Sequence, residues 1–484
     1  MASLHEEQML SNPDAKAAIE TMKAALRAAL GAGSFGDRET GALGLTNEAV
    51  RQFLEEELQE IADRFQEGAV LDGVVYVAYT PEPGSVPFYS LNGSLNVNRF
   101  RLRRQGVRNG ATIDPVALAA GLVEGATPAL AYSIAEGYAE RDMRQHLRTL
   151  TSAHRRPPSR STMERIATGL AKEAHRVAPG IQGRLRRGEA LPEGTMGVSI
   201  GLDRTSAPMA ELRSSEAVPK PPPKRTKPRQ RRPPPPFDVV FRMAYVGTVT
   251  FVDGEGRALA TRRYAAPACE DPARLATQMQ KDLRAALRRK ADLTVALIQD
   301  GAPEMWNVMR DALQPLVDEG VLDDWHEGID QFHLLERLGE AAKLCLPRKV
   351  ERAAVFDPLF SQLDDDDDTI EAIETELLTR HEWLSASAQE KLDEQLTYIA
   401  NNKDRMRYAT LRAAGAPVGS GVTESAAKTV VGHRAKRSGQ RWSEPGLAGV
   451  LALRAVLLSD RLPRFWVQFS RRYAANIEPS TAAA

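Results

Sequence analysis

Glu424 is the only negative charge in GVTESAAKTVVGHRAKRSGQRW, where Lys428, Arg434, Lys436, Arg437 and Arg441 crowd one helix and the loop after it. A carboxylate inside a basic surface suits a site that must keep a metal ion while gripping a polyanion. Two further acids end apolar, strand-like runs: Asp203 closes MGVSIGLD and Asp300 closes LTVALIQD. Mg²⁺ is a hard cation that prefers oxygen ligands and keeps part of its water, so carboxylates are the right donors. Two such ions about 4 Å apart activate an attacking water or hydroxyl and neutralise the leaving oxygen in phosphoryl transfer. Each acid also has a plainer reading. Asp203 would be a turn residue paired with Arg204, and Asp300 the N-cap of a helix opening at Pro303, with Gly301 easing the turn. Glu424 would compensate a helix dipole and pair with Lys428 four residues on. Asp253 is set aside, because Asp253-Gly254 between two strands is ordinary hairpin chemistry.

The acids meet only if the elements that carry them are suitably ordered. MGVSIGLD, FRMAYVGTVTFVD and RALATRRYAAP read as strands, ARLATQMQKDLRAALRRK as a helix and LTVALIQD as a buried strand. The helix PEMWNVMRDALQPLVDEG, a strand-like stretch near DDWHEGID and the helix HLLERLGEAAKLCL follow. Strand, strand, strand, helix, strand, helix, strand, helix fits the RNase H-like fold, an α/β core whose mixed sheet is flanked by helices. Acids ending its first and fourth strands, with one on a later helix, converge there on two metal ions. The core is expected over 195–349 and 413–470, with a helical insertion at 350–412 interrupted by the run Asp364 to Asp368. Within it, 219–236 (PKPPPKRTKPRQRRPPPP) cannot be a core element, since proline blocks helix and ladder hydrogen bonds. Its seven basic residues make it either a phosphate-backbone tether or a plain linker.

Upstream, 1–70 reads as a helical N-terminal region and 71–124 as a β-hairpin region turning at Asn92-Gly93. Its outgoing strand carries Arg99, Arg101, Arg103 and Arg104, a charged edge that would lie on phosphates or simply deter aggregation. Residues 125–190 hold three helical patterns, the third opened by a capping box of Ser161 and Glu164. This is expected to be a helix-turn-helix DNA-binding region, with Arg155, Arg156, Arg160 and Arg165 clustered where base and phosphate contacts are made. A plain three-helix packing unit is the alternative.

The length of 484 residues allows two to four domains. Only Cys269 and Cys345 occur, which excludes a disulfide framework or a Cys-rich zinc module, so a metal would be held by oxygen or histidine. The formal charge is zero, but positive charge concentrates in 141–187, 220–232 and 428–441, and such fields act locally over about 10 Å. No run of about 18 apolar residues and no signal-type N-terminus occurs, so no membrane partner is expected and the chain reads as intracellular.

The motifs GLDRTSAPM, RMAYVGTVT, LIQDGAPEMW, DWHEGIDQFHLLERL and GSGVTESAAKTVVGHRAKRSGQRWS, together with GVRNGATIDPVALAAGLVEGATPALAYSIAEGY and PPSRSTMERIA upstream, resemble the DDE transposases of bacterial insertion sequences of the Kra type. The resemblance covers roughly residues 85 to 466. It implies that Asp203, Asp300 and Glu424 are the catalytic triad and the ligands of Mg²⁺, with Mn²⁺ as a substitute. It further implies double-stranded DNA as partner, both transposon ends and target, and a homodimer or higher oligomer in the bacterial cytoplasm, associated with the nucleoid. Lys428, Arg434, Lys436, Arg437 and Arg441 would hold the strand, and Trp442 would stack on a displaced base or pack in the core. Asp330 and His333 resemble an Asp-x-x-His pair of Mutator-like transposases and would support the site; a buried, hydrogen-bonded histidine is the alternative. Relatives often carry a Cys-rich segment before the hairpin, and this chain does not. Two other readings compete with transposition: an RNase H-like structure-specific nuclease, and a non-enzymatic DNA-binding regulator.

Overall fold

The structure, a computed structural model, describes residues 12–212 and 237–480; the basic proline segment 219–236 lies outside them. The chain divides into two compact units, Ala171–Trp466 and Met1–Leu170 with Val467–Ala484.

The first of these units is built on a five-stranded sheet. In chain order its strands are β1 (Gly197–Leu212), β2 (Phe237–Val252), β3 (Ala258–Ala266), β4 (Thr294–Gln299) and β5 (His326–Ile329). Their spatial order is β5-β4-β1-β2-β3; β1 runs parallel to β4, β4 parallel to β5, and β1, β2 and β3 are mutually antiparallel. β4 is apolar almost throughout and buried from its second residue on, as a parallel strand covered on both faces must be. Helix α1 (Pro272–Leu287) starts on Asp271, whose side chain accepts the Ala273 N–H, and α2 (Pro303–Asp318) starts on a proline that needs no N–H partner. Leu275, Met279 and Leu283 of α1 and Trp306, Met309 and Leu313 of α2 pack with Val198, Ile200 and Leu297 of the sheet in one core.

The succession of strands and helices read from the sequence is the one observed. Two strands are longer than the motifs suggested: β1 and β2 pair along all 16 residues of each, from Gly197↔Val252 to Leu212↔Phe237. Their outer halves form a ribbon on which Val239, Phe241 and Met243 are exposed. After β5 come α3 (Gln331–Cys345), α4 (Lys349–Gln362), α5 (Thr369–His381) and α6 (Ala386–Asn402). Phe356, Ile373, Leu377 and Ile399 join the same core, so the helices of 350–412 pack continuously with it. The aspartate run has structural partners: Asp367 accepts the Ala409 and Thr410 N–H groups, and Asp364 pairs with Arg412 at 2.9 Å. Two short helices, α7 (Tyr408–Ala413) and α8 (Gly421–Ala426), lead through a π-helical turn at Ala427–Gly432 towards α9 (Glu444–Leu458).

The second unit opens with helices Pro13–Leu30 and Phe35–Asp63. Its five-stranded sheet runs Ile477–Pro479, Ala69–Leu71, Val74–Ala78, Leu102–Arg104, Thr112–Ile113, all antiparallel. The hairpin pairs Phe88–Ser90 with Gly93–Leu95, so its turn is Leu91-Asn92, one residue earlier than expected; Gly93, at φ 134°, opens the outgoing strand. That strand ends before the arginines. Arg99 is buried, with Nε 2.8 Å from Asp114 and its guanidinium 3.7 Å from the centre of the Phe88 ring, and so is a core residue rather than a phosphate contact. Helices Pro128–Glu140 and Met143–Ser152 follow, and then a helix of 29 residues, Arg160–Gly188, with Pro179 inside it, much longer than the pattern suggested; its residues from Ala171 on fall in the first-described unit. Its cap is Ser159, whose hydroxyl accepts the Thr162 N–H, in place of Ser161.

Candidate active site

The parallel register of β1 and β4 brings two acids level. Ile200 pairs with Leu297, and the same three-residue step along each strand reaches Asp203 and Asp300. The two strands part just before that point, where the Gln299 side-chain oxygen accepts the Leu202 N–H at 3.2 Å. Ends of parallel strands that separate in this way leave a crevice, the usual place for a site in α/β sheets.

Asp203 is half-buried, and its Oδ1 accepts the N–H of Arg204 at 2.6 Å. Burial pushes its carboxyl above the ordinary carboxylate range; the Arg204 N–H pulls the other way, while the charges of Asp300 and Glu424 add to the rise. All three acids therefore share one electrostatic neighbourhood. Asp300 is held by its own turn: Oδ1 accepts the Ala302 N–H at 3.1 Å, and its carbonyl takes the indole N–H of buried Trp306 at 2.7 Å. The N-cap of α2 is Ala302, two residues later than the capping reading of Asp300 requires. Glu424 lies in the first turn of α8, half-exposed, with Oε1 2.5 Å from Lys428 Nζ.

Asp330 braces the approach to that helix. It is 2 % exposed and caps α3 with Oδ1 on the His333 N–H at 2.9 Å, while Oδ2 accepts the N–H of Ser420, the N-cap of α8. Burial opposes its charge, but the His333 and Ser420 donors prevail and hold the carboxyl below its ordinary value. His333 Nδ1 stands 3.2 Å from Asp330 Oδ1 but is not aligned for a hydrogen bond to it. The imidazole is partly exposed and close enough to Asp203 to favour its charged form.

The basic residues divide sharply. Lys428, Lys436 and Arg441 are exposed, Lys436 Nζ lying 2.6 Å from the Thr205 hydroxyl, two residues beyond Asp203. Arg437 is half-buried and donates to the His433 carbonyl. Arg434 is 2 % exposed, with its guanidinium 4.8 Å from the centre of the Trp442 ring. Trp442 itself is in the core: its indole donates to the Ala435 carbonyl, and its backbone extends the edge of β1 through Pro208 and Ala210. In the other unit Arg155, Arg156, Arg160 and Arg165 are all exposed. Their partners there are Asn92, Glu48, Glu164 and the Glu124 carbonyl.

Two neighbours of the site were not read from the sequence. Tyr398 of α6 lies against Gly301, where a Cβ would stand 2.4 Å from its ring, and the Arg337 guanidinium stacks on that ring 4.1 Å from its centre. Thr423, beside Glu424, is buried against Gly201 and Thr248. A glycine inside the strand run SIGLD was the available signal for that close approach. Among the described residues, no group of three or more His, Cys, Asp or Glu side chains is placed to hold a metal ion. Nor is any helix among them long and apolar enough to cross a membrane.

No family model matches the chain, and no curated protein does. Among solved structures it is similar to the Drosophila P element transposase strand transfer complex, at 13% identity and a TM-score of 0.23 over 71% of this chain and 83% of that one. It is also similar to the Mos1 mariner paired end complex with Mn, at 13% identity and a TM-score of 0.14 over 51% and 63%. The Mos1 transposase paired-end complex with left transposon end follows at 12% identity and a TM-score of 0.14 over 55% and 73%. Overlaps this loose fix neither the fold nor the activity of this chain.

Proposed function

We propose that this chain is a DNA transposase that cuts transposon ends and joins them to target DNA, with Asp203, Asp300 and Glu424 as its catalytic carboxylates on an RNase H-like core. The observation that carries this reading is the level placement of Asp203 and Asp300 at parting parallel strands, with the charge of Glu424 felt at Asp203. The strand order β5-β4-β1-β2-β3, with β2 antiparallel in a mixed sheet, supports the fold assignment. A half-buried Asp203 whose proton affinity is raised by burial and by the charges of Asp300 and Glu424 belongs to a donor set that a hard divalent cation would relieve, and Mg²⁺ or Mn²⁺ would be held by Asp203, Asp300 and Glu424. When bound, such ions polarise a phosphoryl oxygen and lower the pKa of an attacking water.

The chain's own residues supply the rest. The Arg204 N–H and the turn at Ala302 orient the carboxylates of Asp203 and Asp300, and Asp330 with His333 holds the start of α8. Lys428, Lys436, Arg437 and Arg441 hold the strand being cut, while buried Arg434 and Trp442 support them from beneath. Arg155, Arg156, Arg160 and Arg165 belong to a helix-turn-helix region over 125–190 that reads the transposon end. The enzyme is of the bacterial insertion-sequence Kra type, acts as a dimer or larger assembly, and works on DNA in the cytoplasm.

A pre-cut transposon end, a target plasmid and Mg²⁺ test the proposal. The expected product is end DNA joined to plasmid, lost in Asp300→Asn while DNA binding is kept. Joining by Asp300→Asn at the wild-type rate overturns it, and cutting without joining makes the chain a nuclease. DNA binding with no metal-dependent cutting or joining makes it a regulator.

A further inference from the structure

Glu424 stands in the first turn of a helical run in which α8 continues through the π-helical turn at Ala427–Gly432. Asp330 holds the start of α8 through the Ser420 N–H, and a second contact is made next door to Glu424. Thr423 is 6% exposed, and its hydroxyl lies 2.6 Å from the hydroxyl of Thr248 on β2, which is 1% exposed. On the neighbouring strand a Cβ at Gly201 would stand 2.3 Å from Thr423 Oγ1 and 2.9 Å from the Ile298 carbonyl of β4. β1, β2 and α8 thus meet at this hydroxyl, with the Ile298 carbonyl of β4 beside Gly201. Gly201 lies two residues before Asp203, Ile298 two before Asp300, and Thr423 one before Glu424. A single packing point therefore stands within two residues of all three acids.

Behind it lies a cavity of about 50 Å³ whose lining includes Ser199, Thr250, Ser420 and Thr423. It is large enough for water, so α8 has room to settle elsewhere once its anchor is lost. We propose that Thr423 is the positioning residue that sets Glu424 against Asp203 and Asp300, through its bond to Thr248 and its seat on Gly201. This rests on the reading of the three acids as a metal centre.

The test is Mn²⁺ binding to the full chain, read from the electron paramagnetic resonance of free Mn²⁺. Thr423→Val keeps the shape and removes the hydroxyl; Thr423→Ser keeps the hydroxyl. The first is expected to weaken binding about tenfold, as loss of a group orienting metal ligands does, and the second to stay close to wild type. Thr248→Val removes the other half of the same bond and is expected to match Thr423→Val, so misfolding of one variant leaves the other informative. Wild-type binding by the folded valine variants, or equal weakening by Thr423→Ser, overturns the assignment. Mn²⁺ binding that survives Asp203→Asn instead overturns the metal centre itself, and the positioning role with it.

Discussion

Glu189 and Asp282 are buried acids in the unit Ala171–Trp466, and arginines surround them. Asp282 is fully buried, with Arg186 at 2.8 Å and Arg262 at 2.9 Å; Glu189 pairs with Arg461 at 2.5 Å, Arg262 at 2.9 Å and Arg464 at 3.1 Å. Asp203 and Asp300, in the same unit, form no ion pair with lysine or arginine among the described residues; backbone N–H groups are what orient them. Burial opposes the charge of both Glu189 and Asp203. At Glu189 the hydrogen bond and charge of Arg461, with Arg262 and Arg464, reverse that and hold the carboxyl below its ordinary value. At Asp203 the neighbouring acids make it worse. One cluster is neutralised by its own arginines, whereas the other leaves carboxylates without a cationic side chain, the contrast on which the proposal of a metal centre rests.

Substitutions break or sharpen that contrast. The largest effect is expected from Asp203→Asn or Asp300→Asn, which should lower strand joining by about 10³-fold with binding to end DNA unchanged in a gel-shift assay. Asp282→Ala leaves buried arginines uncompensated and should cost about 3 kcal/mol in urea unfolding, while the folded fraction keeps its joining activity. An unchanged urea midpoint would show that the arginine cluster is not structural.

Smaller effects of opposite sign should separate the clusters by pH. Because the folded carboxyl of Asp203 is raised, its contribution to stability is whole below the unfolded value and is lost as pH rises through the folded one. Asp203→Asn should therefore stabilise by about 1 kcal/mol at neutral pH, with the gain shrinking in acid as the wild-type carboxyl protonates. Glu189 is lowered, so its contribution is present above the unfolded value and lost as pH falls through the folded one; Glu189→Gln should destabilise at neutral pH and lose that effect in strong acid. Urea midpoints across pH 3 to 8, a span of about five pH units, read both. The smallest effect is Lys428→Ala, an exposed pair with Glu424, at under about 0.5 kcal/mol in thermal unfolding.

The candidate site was legible wherever a local pattern carried it. LTVALIQD announces a buried strand ending in an acid, and proline at the first position marks the helix starts at Pro272 and Pro303. Contacts made across the fold were not legible. Arg99 read as a surface charge because Asp114 and Phe88, which bury it, are distant in sequence. Arg434 read as a strand contact for the same reason, since a basic run on a helix does not say which face is turned inward. Tyr398 lies 97 positions beyond Gly301, and nothing in either segment points to the other. The hairpin turn was misplaced by one residue because Gly93 serves as the first strand residue rather than as part of the turn.

Ile477–Pro479 pairs with Ala69–Leu71 at the border of the five-stranded antiparallel sheet. About 400 residues separate the two, which at roughly 5–20 residues per second is about 20–80 s of synthesis. Until then Ala69–Leu71 offers a row of unpaired N–H and C=O groups on the ribosome-bound chain. The strand Ala69–Leu71 thus has its second neighbour only once a segment about 400 residues later has been made, and a polypeptide lacking Ile477–Pro479 would carry that edge open.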